Sequence, residues 1–447
     1  MLQVCASTLA AALIMAPIGA ESADLVVWWE QGFYEQEDEA VAEIVAAFEQ
    51  ETGKEVELVH YSNEELPQKL VAALESDRPP DFAFGLWLSE YSAKWAFEDR
   101  LVDLSDVVGT FSNLFDPDAL NWVTLLNATT GQRALYGLPI ARATNYLHVW
   151  KSLLERAGFT VADIPREWEA FWSFWCDQVQ PAVREATGRN DVWGIGLPME
   201  GGPGDTGIEW KQFVAAYDAD YVTPDGRLVI DDPEIQRRLV EAITAYTAVY
   251  RNGCTPPESV SWSGLGNNEA FLAQAVVMTA NLTLSIPNAL KRERPDDYYE
   301  KVATIEWPLG PRGEPFAIVG DLFPAVVFKD GANAAAAEEF VRFLVAEAWL
   351  IHYLNFSGER FLPPISKLLD EPFWLDPSDP HRMAAVMQVS SRPLLHNYGT
   401  ATGNWRHEMV EADFVWEKAI HRIVTEGITP EQAVDEAIAR VKEILSE

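Results

Sequence analysis

The sequence predicts an α/β protein of two doubly wound lobes, joined by hinge crossings, with a ligand cleft between them. Three observations predict it. The first hundred residues after position 23 alternate strand and helix patterns as βαβαβ, which implies a parallel sheet with helices on its faces. From near Arg142 a second, helix-dominated stretch begins, with strand patterns of its own at 275–279, 304–307 and 317–319. Extended or Pro-containing segments at 139–145, 281–287 and 321–326 have the character of hinge strands. The expected partition is 24–140 plus 285–323 in the N-terminal lobe and 141–284 plus 324–447 in the C-terminal lobe.

Each opening element has a local reason. Leu25-Val26-Val27-Trp28-Trp29 is a strand-like run ending in the acidic, aromatic loop Glu30-Gln31-Gly32-Phe33-Tyr34. Over 38–52, Val41, Ile44, Val45 and Phe48 share one helical face, and Gly53 is the stop. Glu55-Val56-Glu57-Leu58-Val59 alternates as a strand should. Asn63 is read as the cap of a helix carrying Leu66, Leu70, Val71 and Leu74, with Pro67 tolerated in its first turn. Arg78-Pro79-Pro80 breaks the chain before a third strand, 81–87, which ends in Trp87. Helical patterns then dominate 150–157, 168–180, 208–217, 233–250 and 267–273, and an Ala-rich helix begins near Asn333. Residues 370–382 form a Pro- and Asp-rich loop.

Composition narrows the function. The formal charge is −36, from 33 basic and 69 acidic residues, so nucleic acid is an unsuitable partner and a soluble monomer is expected. Residues 1–23 read as a secretory signal peptide whose apolar run, 9–18, is too short to span a bilayer. That places the mature chain in the periplasm. Cys176 and Cys254 remain, and two buried free thiols are expected in preference to a bridge. No cofactor fingerprint is present: Gly201-Gly202-Pro203-Gly204 is not a phosphate loop, and His407-Glu408 lacks the second His of a zinc helix. No metal and no cofactor are expected.

The 17 Trp residues are the outlier. Loops at the carboxyl ends of strands line the crevice of an open α/β sheet, and two such loops here carry Trp. A flat apolar face beside carboxylates and amides suits a sugar ring. Trp28 and Trp29 point to opposite faces, one toward the core and one toward the cleft. Glu30 and Gln31 offer groups for hydroxyls, and Trp87 offers a second ring. Arg142 and Asn145 sit at the first crossing, Asn281 at the second, and Gly320 with Asp321 at the third. Trp210, Trp262, Arg360 and Trp405 complete the candidate ligand-binding set, whereas Trp168, Trp172 and Trp175 fall on helical spacing and read as core.

Several segments resemble the family-1 extracellular solute-binding proteins of ABC transporters, the carbohydrate group that includes maltose- and glucose-binding proteins. The segment from Phe97 to Ser105 is similar to the family's G-x-L-x-D-L-(S/T), with Asp99-Arg100 where Gly is usual, and Leu135-Tyr136-Gly137-Leu138-Pro139 to its Y-G-(L/I)-P. Val149 to Gly158 resembles Y-N-K-x-L-x-x-x-A-G, with Trp150 in place of Asn. Glu269 to Met278 resembles A-F-x-x-G-x-A-A-M, and Phe361-Leu362-Pro363-Pro364 the late x-L-P segment. The resemblance implies the periplasmic-binding-protein fold, a carbohydrate ligand, delivery to ABC permease subunits, and no catalysis. Two other readings fit the residues: the same fold binding a quaternary amine through cation–π contact, and a secreted glycosidase, for which no carboxylate pairing is visible.

Overall fold

A computed structural model describes residues 23–346, 348–357, 359–395 and 397–446, so the expected signal segment lies, but for Ala23, outside the described residues. Among the described residues eleven strands are present: β1 Leu25–Glu30, β2 Val56–Tyr61, β3 Phe82–Phe84, β4 Thr124–Asn127, β5 Gln132–Leu135, β6 Leu138–Thr144, β7 Tyr146–Trp150, β8 Trp193–Gly196, β9 Val276–Asn281, β10 Val302–Ile305 and β11 Gly320–Val327. They form two α/β lobes. One holds a five-stranded sheet of order β2-β1-β3-β11-β6, the other a four-stranded sheet of order β10-β7-β9-β8, and β4-β5 is a separate hairpin. In the first sheet β1 runs parallel to β2 and β3, while β11 runs antiparallel to β3 and β6.

Alternation within strands explains the layers of the first lobe. Trp29, Phe82 and Phe84 face a core with Phe48, Phe340 and Tyr353, closed by helices Glu35–Thr52, Ala334–Ala346 and Trp349–Phe356. Ala83 and Val326 face the other layer, where Leu66, Leu70 and Trp95 pack. Gly53 stops the first helix in the left-handed region, φ 70°, with its N–H donated to the Glu49 carbonyl. The second lobe buries most of the Trp excess: Trp150, Trp168, Trp175, Trp210, Trp307 and Trp416 share one core.

The connection between lobes differs from the expected partition. β6 lies in the first sheet and β7 in the second, with Asn145 between them. Residues 281–287 do not cross: helix Ser285–Glu293 packs in the second core and β10 pairs with β7. The chain returns to the first sheet only at β11, and helices Ala334–Ala346 and Trp349–Phe356 stay there. Residues 285–318 thus belong with the second lobe and 324–356 with the first, the reverse of expectation. The physical reason is that a strand's partner is set by which edge it reaches, and local pattern does not encode that.

Other differences are local. Residues 317–319 form an isolated bridge, Ile318 with Leu394, rather than a strand. The 370–382 segment is a loop only to Asp379, which caps helix Pro380–Ser391 by accepting the Arg382 N–H. Cys176 and Cys254 form a disulfide, Cα atoms 5.1 Å apart, where free thiols were expected. β8 brings them together: the Ile195 N–H donates to the Cys254 carbonyl, and the Gly194 N–H donates to Gln180, which closes the helical stretch carrying Cys176.

Candidate functional site

The cleft begins with a buried carboxylate. Glu30 ends β1 and accepts the Leu86 N–H at 2.7 Å, fixing the single turn Leu86–Leu88 that follows β3. Position 85 is tight: a Cβ there would stand 2.5 Å from Leu66 and 3.1 Å from the Glu30 carboxylate, so any larger residue must push the Leu66 side chain aside. That turn carries Trp87 to the cleft wall. Burial pushes Glu30 up to about 7, with the Arg360 charge acting in the opposite direction.

Two compartments make up the cleft, and Ile208, Leu282 and Asp321 line both. The first holds Asn63, Trp87, Asp205, Asn268, Asn281 and Arg360. Its polar groups are preorganised by one another. Asn281 donates to the Thr283 carbonyl at 2.8 Å and to Ser285 Oγ at 3.1 Å, and it accepts from Asn267 at 3.1 Å. Asn268 donates to Ser285 Oγ at 3.0 Å. Arg360 is held by Glu37 at 3.1 Å, above the Phe361 ring.

Two valences in this compartment are left open. Asn268 Oδ1, on a residue 3% exposed, has no hydrogen-bond partner, nor has Nε of Arg360, which is 8% exposed. A buried polar atom without a partner is destabilising unless something fills it. An acceptor and a donor on residues that share a compartment with an indole suit a hydroxylated ring. Burial also pushes Asp205 up to about 7, reinforced by the Glu200 charge.

The second compartment is more charged. Asp321, Glu408 and Glu411 line it, with Lys211, Tyr398 and His407. Lys211 pairs with Glu411 at 2.8 Å. Burial pushes Asp321 up to about 7 and Glu408 up to about 8, the Lys211 charge opposing both.

Of the sequence candidates, the structure brings Trp87, Asn281, Gly320, Asp321 and Arg360 to this cleft. Glu30 lies behind it as the support of the Trp87 turn. The others are elsewhere. Trp29 is 1% exposed in the first core, and Trp28 packs edge-on against Tyr61 at 4.9 Å on the opposite face. Gln31 is exposed. Arg142 is buried in an ion pair with Asp116 at 3.2 Å, and Asn145 donates to Glu209 at 2.9 Å. Trp210 is 1% exposed against Trp416. Trp262 lies over Gly266, beside the lining residues Gly264 and Leu265. Trp405 packs near Phe97 in a separate groove with Arg133. Trp29 and Trp210 go inward because a two-faced sheet and a helix between layers bury large rings wherever they meet the core.

Sequence reasoning missed Asn63, Asp205, Asn268, Lys211, His407 and Glu408. Asn63 was read as a helix cap, but Ser62 Oγ takes that role by accepting the Glu65 N–H at 3.3 Å, which leaves Asn63 to line the cleft. Among the described residues no group of three or more His, Cys, Asp or Glu is placed to hold a metal ion, and no helix is long and apolar enough to cross a membrane.

Comparison with known proteins agrees with this architecture. A family model described as bacterial extracellular solute-binding protein matches residues 43–384. The chain belongs to that family. Among solved structures, this solute-binding protein resembles an ABC transporter solute-binding protein of Thermotoga lettingae bound to α-D-tagatose, with TM-score 0.76, 18% identity, and 94% and 99% of the two chains covered. Maltose-bound MalE3 of T. maritima follows at TM-score 0.73 and 19% identity, covering 94% and 99%. A ribitol complex from Agrobacterium radiobacter has TM-score 0.73 and 18% identity, covering 94% and 98%. A search of curated proteins found no match. The shared feature is the two-lobed fold.

Proposed function

We propose that this solute-binding protein captures a carbohydrate between its lobes and hands it, chemically intact, to the permease of an ABC importer, working as a monomer in the periplasm after loss of its signal peptide. One observation carries the reading: Trp87 shares a compartment with an unpartnered acceptor, Asn268 Oδ1, and an unpartnered donor, Arg360 Nε. An indole covers the apolar C–H face of a pyranose, while the polar groups meet its hydroxyl rim. The first lobe supplies Trp87 and Asp321 and the second supplies Asp205 and Asn268, so a ring between them touches both. A solute that contacts both lobes stabilises the closed arrangement over the open one. Similar folds whose bound molecules are tagatose, maltose and ribitol support the same class of solute.

The experiment is a melting-temperature screen with neutral sugars, sugar alcohols, amino sugars and quaternary amines, followed by calorimetric titration of hits. A saturable rise in melting temperature with a sugar, recovered unchanged after incubation, is expected. Cleavage of the sugar, or stabilisation by quaternary amines alone, overturns the reading.

A further inference from the structure

Resting on the carbohydrate reading, we infer that the solute is an amino sugar, with its ring against Trp87 and its ammonium in the second compartment. The second compartment carries more acid than base. Lys211 is the cation among its lining residues, and its partner at 2.8 Å is Glu411. That leaves Asp321 and Glu408 facing the same space. Asp321 accepts from Ser89 at 3.4 Å and from the Leu322 N–H at 2.8 Å, and Glu408 accepts from Asn397; these contacts are neutral. Glu90, on the first lobe's helix Ser89–Phe97, adds a further carboxylate within electrostatic reach of Lys211 and Asp321.

A second, independent observation points to a ligand. His407 lines this compartment and is 5% exposed, and its Nδ1 has no hydrogen-bond partner. Burial lowers His407 to about 4, so the ring is neutral at physiological pH. With its proton on Nε2, Nδ1 accepts one hydrogen bond. The compartment is therefore lined by an imidazole with an unpartnered nitrogen and by two acidic groups, Asp321 and Glu408, whose direct hydrogen-bond partners are neutral.

Burial holds Asp321 up to about 7 and Glu408 up to about 8, so near neutral pH these acids keep much of their protons when no cation is bound. A neutral hydroxyl leaves them so, whereas a cation lets them ionise against it. An anion is repelled. An ammonium supplies three N–H donors and the charge against which those acids ionise. A quaternary amine has no N–H to give to Nδ1, so the primary amine of a sugar fits and the quaternary class does not. Asp321 lines both compartments and joins the ring's site to the ammonium's. The −36 net charge draws a cationic solute toward the protein in the same sense.

The test is calorimetric titration of the full chain at neutral pH with matched sets: D-glucosamine, D-glucose and N-acetyl-D-glucosamine, then the β-1,4 dimer of glucosamine against cellobiose and the acetylated dimer. The amine in at least one set binds tenfold or more tighter than its neutral and acetylated counterparts. In that set, Glu408→Gln with His407→Phe reduces the preference to threefold or less, while a folded melting profile is retained. Neutral or acetylated sugars binding as tightly as the amine overturn the inference and leave the carbohydrate reading intact. Binding by no member of the sets overturns the inference, and the wider screen then decides the carbohydrate reading separately.

Discussion

The Tyr34 hydroxyl, on the loop after β1, donates a 2.7 Å hydrogen bond to the Ser285 carbonyl at the start of helix Ser285–Glu293. The bond is buried and joins the two lobes. Arg292, on the same helix, lies 4.3 Å over the Tyr34 ring. This pair is a fastening between the two lobes.

Tyr34→Phe removes the hydrogen bond and keeps the ring. A net hydrogen bond is worth about 1 kcal/mol, so solute affinity falls about fivefold. Titration calorimetry measures it, and small-angle scattering shows less compaction at equal solute concentration. Unchanged affinity shows that the fastening contributes nothing to closure.

Trp87 and Trp29 separate binding from folding. Trp87→Ala removes a half-buried ring from the cleft wall, weakening solute binding about tenfold with little change in melting temperature. Trp29→Ala empties a core site against Phe82, Phe84 and Tyr353 and destabilises by about 3–5 kcal/mol. Denaturant unfolding alongside titration distinguishes the two.

The disulfide has its own expectation. Cys176–Cys254 closes 78 residues of chain, and the chain-entropy relation gives about 4.5 kcal/mol of stabilisation for a loop of that size. A Cys176→Ser, Cys254→Ser double variant therefore unfolds at markedly lower denaturant, and added reductant lowers the melting temperature of the parent but not of the variant.

Stability also depends on pH, with a definite sign. Burial raises Glu30, Asp205 and Asp321 to about 7 and Glu408 and Glu417 to about 8. Between the ordinary carboxylate range and those values, the folded state holds protons that the unfolded chain has released. These groups thus contribute stability that is full at acidic pH and is lost as pH rises to about 8. Burial lowers His381 and His407 to about 4, which acts oppositely but only below the ordinary histidine value of 6.5. The melting temperature consequently falls as pH rises from 6.5 to 8. Glu408→Gln flattens that slope.

The relation between sequence and site is clearest at Trp87. Its place after β3, two residues beyond Gly85, follows from a strand pattern and a strand-end rule that need no knowledge of the partner layer. Trp28 and Trp29 obey alternation equally well, yet alternation says only that they oppose each other. Tyr353, 323 residues further along the chain from Glu30 in number, is what claims Trp29 for the core. Asn63 shows the converse: its type suits a helix cap, and its neighbour Ser62 took the role.

Local periodicity, breakers and ordered short motifs by themselves determined the α/β class, the two-lobed architecture and the solute-binding family, because each is written within a few turns or strands of chain. Only the tertiary structure decided that 285–318 joins the second lobe, that Cys176 meets Cys254, and that Asp205, Asn268 and His407 line one cleft with Trp87 and Asp321. Those outcomes depend on which surfaces pack together, and packing partners lie far apart along the chain, where no local pattern reaches.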